Sequence, residues 1–264
     1  MSLRPVALWV GVLAMMLLSG CGDRVNKKAL GPDEYFAYAK KKFDNGDYLS
    51  ASTEFTVVTL RFSGHPVVDE AQYYLAESHF KSEEYLIAIS EYEKLINEYP
   101  QSPFNQLAQF KVGLSFYRMS LRAELDQEYT RQAMRRFQNF VEENPSHELN
   151  EEAQKLIANL REKLAHKQLI GATTYRRMGI WDSALIYYDI VLERYYDTPS
   201  AEEAMFFRGE SLFKLKRFPE AQTAFTLFLE KFPQSEFASR AKGRLGDLVD
   251  VPAGMETGEA SLND

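Results

Sequence analysis

Apolar residues along the stretch Asp69 to Pro103 recur with the spacing of helices. In its first part Leu75, Ala76 and His79 share a side; in its second, Ala88, Tyr92 and Leu95 do so at i, i+4 and i+7. The polar break Lys81-Ser82-Glu83-Glu84 separates the two parts and Pro100 stops the second, so the stretch predicts two amphipathic helices joined by a tight turn. A small residue facing a bulky one lets such helices approach closely, but a lone pair leaves its outer faces uncovered, so copies are expected on either side. Alanine opens each second helix at Ala51, Ala88, Ala133, Ala184 and Ala221, with a bulky residue four later at Phe55, Tyr92, Phe137, Tyr188 and Phe225. A small residue stands twelve before, at Ala39, Ala76, Ala172 and Gly209; in the third copy it is Gly113, twenty before Ala133. Pro100, Pro145 and Pro233 close copies, with Pro199 slightly late.

This alternation resembles the tetratricopeptide (TPR) helix-turn-helix, and five copies predict an all-α fold, an α-α superhelix or TPR solenoid of five repeats. Two departures carry information. The third copy holds eight extra residues around Met119 to Thr130, which lengthen its inter-helix connection into a loop or a helical extension. Between copies three and four, Asn150 to Arg177 reads as one long helix with an apolar stripe through Ala153, Leu156, Leu160 and Leu164. At 1.5 Å per residue it spans about 40 Å, a spine between a front and a back half, with Ser146 or Asn150 placed to cap it.

The N-terminus belongs to a different problem. Arg4 followed by the apolar run Pro5 to Leu18 has the length of a signal peptide, shorter than a comfortable membrane span. The run ends in Leu18-Ser19-Gly20-Cys21, which resembles a bacterial lipobox; the chain's one cysteine stands where cleavage falls, so Cys21 is the expected lipidation site. Gly22 follows it in place of the aspartate that commonly retains lipoproteins at the inner membrane, which favours the outer membrane. The expected layout is a leader over 1–20, a lipidated tether over 21–32, repeats one to three over 33–146, the spine and repeats four and five over 147–249, and a solvated tail over 250–264. Removing the leader takes away Arg4, its only charge, so the formal charge of −7 becomes −8, which argues against nucleic acid as a partner. Hydrophobic residues at 45% are ample for a buried core.

Specific features lie between Asp126 and Ala204: Asp126-Gln127 ahead of the third second-helix, Phe137 and Phe140 before Pro145, Leu160 to Ala165 in the long helix, then Ala172, Tyr175, Gly179-Ile180-Trp181 and Ala184. Together with the lipobox and the five copies, these resemble the BamD family over nearly the whole mature chain. Tyr195-Tyr196 departs from the usual Tyr-Pro closure, and the acidic tail is not a family hallmark. The resemblance implies a non-enzymatic lipoprotein of the β-barrel assembly machinery on the periplasmic face of the outer membrane, working beside other assembly-complex lipoproteins. It further implies that the back repeats dock the POTRA domains of a BamA-type barrel protein, while the front repeats receive unfolded outer-membrane proteins. The alternative is a general periplasmic TPR adaptor for envelope or cell-division proteins; such adaptors usually carry an N-terminal coiled coil, and no heptad run stands before Asp33.

Two sets of residues are candidates for binding. Aromatics seven apart recur on the first helices as Phe36 and Phe43, Tyr73 and Phe80, Phe110 and Tyr117, and the 37-residue spacing stacks them into a strip. With Lys40, Lys81 and Arg118 beside it, the strip suits an extended peptide with an aromatic end and a free carboxylate; packing of adjacent first helices explains the rings equally well. In the back half Arg176, Arg177, Arg208, Lys214, Lys216 and Arg217 form a basic set suited to an acidic docking surface, or simply a solvated face. Chemistry of other kinds is not encoded: His65, His79, His147 and His166 are isolated, no phosphate-cradling glycine loop or hydrolase motif occurs, and neither a metal, a cofactor nor an enzyme is expected.

Overall fold

The computed structural model describes residues 26–249. Among the described residues it is all-helical, with eleven helices: α1 (Pro32–Asp44), α2 (Tyr48–Arg61), α3 (Val67–Lys81), α4 (Tyr85–Glu98), α5 (Asn105–Met119), α6 (Glu128–Glu143), α7 (Asn150–Arg177), α8 (Trp181–Arg194), α9 (Ser200–Lys214), α10 (Phe218–Lys231) and α11 (Ala238–Val249). Each packs on the next, and first helices of neighbouring repeats also touch, α1 on α3 and α7 on α9, which is the stacking of a TPR superhelix. The expected leader, Cys21 and the tail lie outside the described residues.

The packing rule read from the sequence is the rule of the core. Every framework alanine and every bulky partner from Phe55 to Phe225 is fully buried. Where the small residue is glycine, nothing larger fits. A Cβ on Gly113 would stand 2.9 Å from the ring of Phe137, and one on Gly209 would stand 2.7 Å from Phe225. The eight extra residues of the third copy form a loop over 120–127 rather than a helical extension. Its fastener is the buried Gln127, whose Nε2 donates to the carbonyls of Arg122 (2.7 Å) and Leu125 (3.1 Å) while its Oε1 accepts from Thr130 Oγ1 (2.7 Å).

Helix α7 has the predicted bounds and serves two cores. Its first half gives Ala153 and Leu160 to the central cluster around Tyr92 and Phe137; its second half gives Ala165, Leu169 and Ala172 to the back cluster around Tyr188 and Phe225. Neither Ser146 nor Asn150 caps it. Leu149 is the N-cap without a side-chain bond, and Asn150 instead donates to Asn144 O at 2.7 Å. Adjacent residues of α7 then hold the next repeat. Arg161 pairs with Asp197 and donates to Arg194 O, and Glu162 accepts from both the backbone N and the Oγ of Ser200 at the start of α9. The sequence gives no repeat signal for α11, which buries Ala238 and Ala241 and closes the stack with an otherwise exposed outer side.

Candidate peptide-docking surfaces

First helices are joined across repeats by a clasp built from three positions, i, i+3 and i+34. In the first copy these are Lys40, Phe43 and Tyr74: Lys40 Nζ lies 4.8 Å from the Tyr74 ring centre and 5.7 Å from that of Phe43, and the two rings meet at 5.1 Å. In the second they are Glu77, Phe80 and Lys111: Lys111 pairs with Glu77 at 2.6 Å and lies 5.0 Å from the centre of Phe80. In the fifth they are Glu210, Phe213 and Arg244, with the ion pair at 2.6 Å and the guanidinium 4.6 Å from the ring. The fourth copy inverts the roles, placing Arg176 over Phe207 at 4.1 Å. In copies one, two and five the three places thus hold a cation, a ring and a carboxylate or second ring in different order, while the fourth keeps only the cation and the ring, with Thr173 in the first place. In the third copy the loop displaces the partner and α7 supplies it. Lys163 lies 5.9 Å from the Tyr117 ring centre and donates to Ser120 Oγ at 2.6 Å, and burial holds its amine below the usual lysine range.

This geometry sorts the aromatic strip. Tyr73 (7% exposed) and Phe110 (3%) are core residues: Tyr73 stacks on Phe104 at 4.9 Å, and Phe110 packs on Phe137 and Phe140. Phe36, Phe43, Phe80 and Tyr117 are half-buried and keep an edge at the surface. Lys40 is engaged by Asp44, whereas Lys81 and Arg118 are exposed and make no ion pair among the described residues. Tyr74 and Lys111, which the sequence reading passed over, are as central as the predicted rings. Their signal was present in the 37-residue spacing, hidden because one is aromatic and the other basic.

Glu77 is buried, and two partners satisfy it: Lys111, and the hydroxyl of fully buried Tyr92, which donates to it. Burial first, then the Glu77 carboxylate, pushes the Tyr92 phenol well above its ordinary range, and the same two causes raise Tyr73. In the back half burial pushes Tyr188 up to about 12. His79 has its Nδ1 2.7 Å from Glu84 Oε2.

The basic set of the back half divides in the same way. Arg176 is spent in the clasp over Phe207, Arg208 donates to Asp189 at 2.6 Å, and Arg217 holds Glu220 through two bonds of 2.7 and 2.5 Å. Arg177, Lys214 and Lys216 are exposed and without an ion pair among the described residues, and Met178 (65% exposed) and Ile180 add apolar surface in the turn after α7. A separate cleft of about 530 Å³ opens between the loop over 120–127, α7 and the end of α8, lined by Gln127, Arg131, Lys167, Arg194 and Tyr195. Among the described residues no group of three or more His, Cys, Asp or Glu side chains is placed to hold a metal, and no helix is long and apolar enough to cross a membrane. What these surfaces present is rings, cations and shape.

Comparison with known proteins adds a second line. Residues 28–217 match a family described as outer membrane lipoprotein (YfiO), and residues 203–235 match the tetratricopeptide repeat. The outer membrane protein assembly factor BamD of Caulobacter vibrioides is 23% identical over 258 residues, covering 95% of this chain and 84% of that protein. BamD of Haemophilus influenzae is 22% identical over 224 residues, covering 81% and 84%. Among solved structures, the TPR2AB-domain:pHSP90 complex of yeast Sti1 is similar with a TM-score of 0.43 at 16% identity, covering 82% of each chain.

Proposed function

The chain belongs to the YfiO family of outer membrane lipoproteins, and from that membership we propose that it is a non-catalytic subunit of the machinery that assembles proteins in the outer membrane, anchored on the periplasmic face through Cys21. The observation that carries this reading is the span of the family match, which takes in the front repeats, the loop over 120–127, the whole of α7 and the start of the back half. In this reading the half-buried edges of Phe43, Phe80 and Tyr117, with Lys81 and Arg118 beside them, receive an extended segment of an unfolded barrel protein. The rings supply contact area, and the two cations fix polarity by meeting a terminal carboxylate. Arg177, Lys214 and Lys216, with Met178 and Ile180 next to them, form the docking face for the POTRA domains of a BamA-type partner. Rim charges of this kind set the on-rate and orientation of a partner more than its final affinity. Arg176, Arg208 and Arg217 serve the fold.

The test is co-purification from detergent-solubilised outer membranes. The wild-type lipoprotein should bring down a barrel protein with POTRA domains, and the triple variant Arg177→Glu/Lys214→Glu/Lys216→Glu should lose it while keeping its helical circular dichroism. Recovery of division proteins instead would replace this reading with an envelope adaptor. Recovery of the POTRA partner by the triple variant would move the docking face elsewhere.

A further inference from the structure

Helix α2 carries the two most exposed leucines among the described residues, Leu49 and Leu60, where the other second helices expose less, as with Leu86 and Ile87 on α4, Ile186 on α8 and Leu227 on α10. The α2 sequence YLSASTEFTVVTLR carries two charges, Glu54 and Arg61, and both are engaged by the chain that precedes α1. Glu54 is buried, accepting from Tyr35 OH at 2.7 Å and pairing with Lys27, while Arg61 donates to the backbone carbonyls of Lys27 (3.3 Å) and Lys28 (3.0 Å). Along its outer side Leu49, Thr53, Thr56 and Leu60 fall within one stripe three turns long. Leu49 and Leu60 are each 72% exposed. The hydroxyls between them are already satisfied: Thr53 Oγ1 donates to Leu49 O at 3.1 Å and Thr56 Oγ1 to Ser52 O at 2.8 Å. A face of exposed leucines and internally bonded threonines has no polar group that must keep a water partner. The second helix of the third copy, EYTRQAMRRFQNFVEE, shows the contrast, with its outer side carrying arginines and glutamates.

The occupant of this face is set by the chain that leads to it. Arg61, next to Leu60, pins the carbonyls of Lys27 and Lys28, so the segment entering the fold from Cys21 is fixed against the end of α2. Cys21 precedes Asn26 by five residues, and five residues reach at most about 17 Å when fully extended. With Cys21 acylated, that limit keeps the Leu60 end of α2 close to the bilayer whatever the remaining repeats do. Exposed Lys28 beside the same end adds a positive charge suited to anionic headgroups, while Asp44 and Asp47 stand at the Leu49 end. We propose that the outer face of α2 is a second membrane contact, lying in the headgroup region with its Leu60 end deeper than its Leu49 end, so that the protein is held on the membrane in one orientation. This rests on the lipid anchoring proposed above, and the occupant is the lipid surface rather than a protein.

Site-directed fluorescence on the intact lipoprotein tests it. The chain has one cysteine, and in the proposed lipidated form its thiol is taken up by the anchor, so Leu60→Cys, Leu49→Cys and Thr226→Cys, the last on α10 of the back half, each offer a single free thiol for an environment-sensitive dye. Each labelled protein is reconstituted into vesicles of phosphatidylethanolamine and phosphatidylglycerol, with and without nitroxide-headgroup lipid, and circular dichroism confirms its helicity. Expected is a blue shift with nitroxide quenching at 60, a weaker response at 49 and none at 226. Protein that floats with the vesicles while the dyes at 60 and 49 remain as water-exposed as that at 226 keeps the anchor and overturns the contact. Protein that fails to float overturns both. Shielding at 49 and 60 that develops only after a POTRA-bearing barrel protein is added assigns the face to that protein and rejects the lipid contact.

Discussion

At Gly113 and Gly209 the fold leaves no room for a methyl group, and the consequence is measurable. Gly209→Ala sets a Cβ 2.7 Å from the ring of fully buried Phe225, so the ring or the helix that carries it must shift within a close-packed core. The variant should lose about 1–3 kcal/mol, read as a lowered urea midpoint; an unchanged midpoint would mean the two helices can separate at no cost. The turns between paired helices supply a test of opposite sign. The residue that turns the chain is Gly46 in the first copy and Gly179 in the fourth, both with positive φ, but Glu83 (φ 62°) and Lys216 (φ 60°) occupy the same place in the second and fifth. A side chain is disfavoured there, so Glu83→Gly should stabilise by about 1 kcal/mol, the relief of left-handed strain less the added entropy of glycine. The buried phenols give a pH dependence. Tyr73, Tyr92 and Tyr188 are held protonated in the folded state above their ordinary value near 10, Tyr188 to about 12. The unfolded chain releases those protons first, so the stability they contribute is complete below about pH 10 and is lost as pH rises beyond it. Absorbance at 295 nm should show these phenols ionising together with alkaline unfolding. Early ionisation with the helices intact would contradict the burial.

At the level of helices, most of the architecture was legible. Ala51, Ala88, Ala133, Ala184 and Ala221 with their bulky partners located every helix pair, because close approach of two helices demands small opposite large and no other pattern satisfies it. The bounds of α7 followed from its apolar stripe. The clasp was not legible. Its middle ring repeats as Phe43, Phe80 and Phe213, but the partner on the next repeat is Tyr74, Lys111 or Arg244, so periodicity in residue type passes over that half of it. Tyr73 and Phe110 were read as groove candidates for the converse reason: their residue type repeats, yet neighbouring helices cover them. Arg176 was placed with the docking residues because its ring partner, Phe207, lies on another repeat. The clasp has a cost when one member is removed. Lys111→Met leaves Glu77 buried with only the Tyr92 hydroxyl as partner, and the expected loss is about 3 kcal/mol. A double change, Lys111→Met with Glu77→Gln, should recover part of it; if the double variant is as unstable as the single one, the pairing is not what matters.

Across the whole molecule, α7 is the one element shared by the central and back clusters. In a repeat array stability is a sum of units and the interfaces between them, so the strength of this shared helix decides whether the two halves melt together. Proline at the exposed position His166 lies between Leu160 of one cluster and Leu169 of the other, and breaks the helix at a cost of about 3 kcal/mol. His166→Pro should split unfolding into two transitions where the native chain gives a more concerted one; a single unsplit transition would show that α8 and α9 bind the halves without help from the long helix.

An unbroken rod seated in two cores also has a mechanical meaning. Ala153 and Ala172 are nineteen residues apart on α7, about 28 Å along its axis, and both are fully buried. Neither end can turn without disturbing the side chains packed round it, and the hydrogen-bonded backbone between them has little give in torsion. On the proposed reading, an occupant of the front surface that turned the first half of α7 would carry the far end with it, and the turn after Arg177, proposed above as part of the docking face, is where that rotation would emerge.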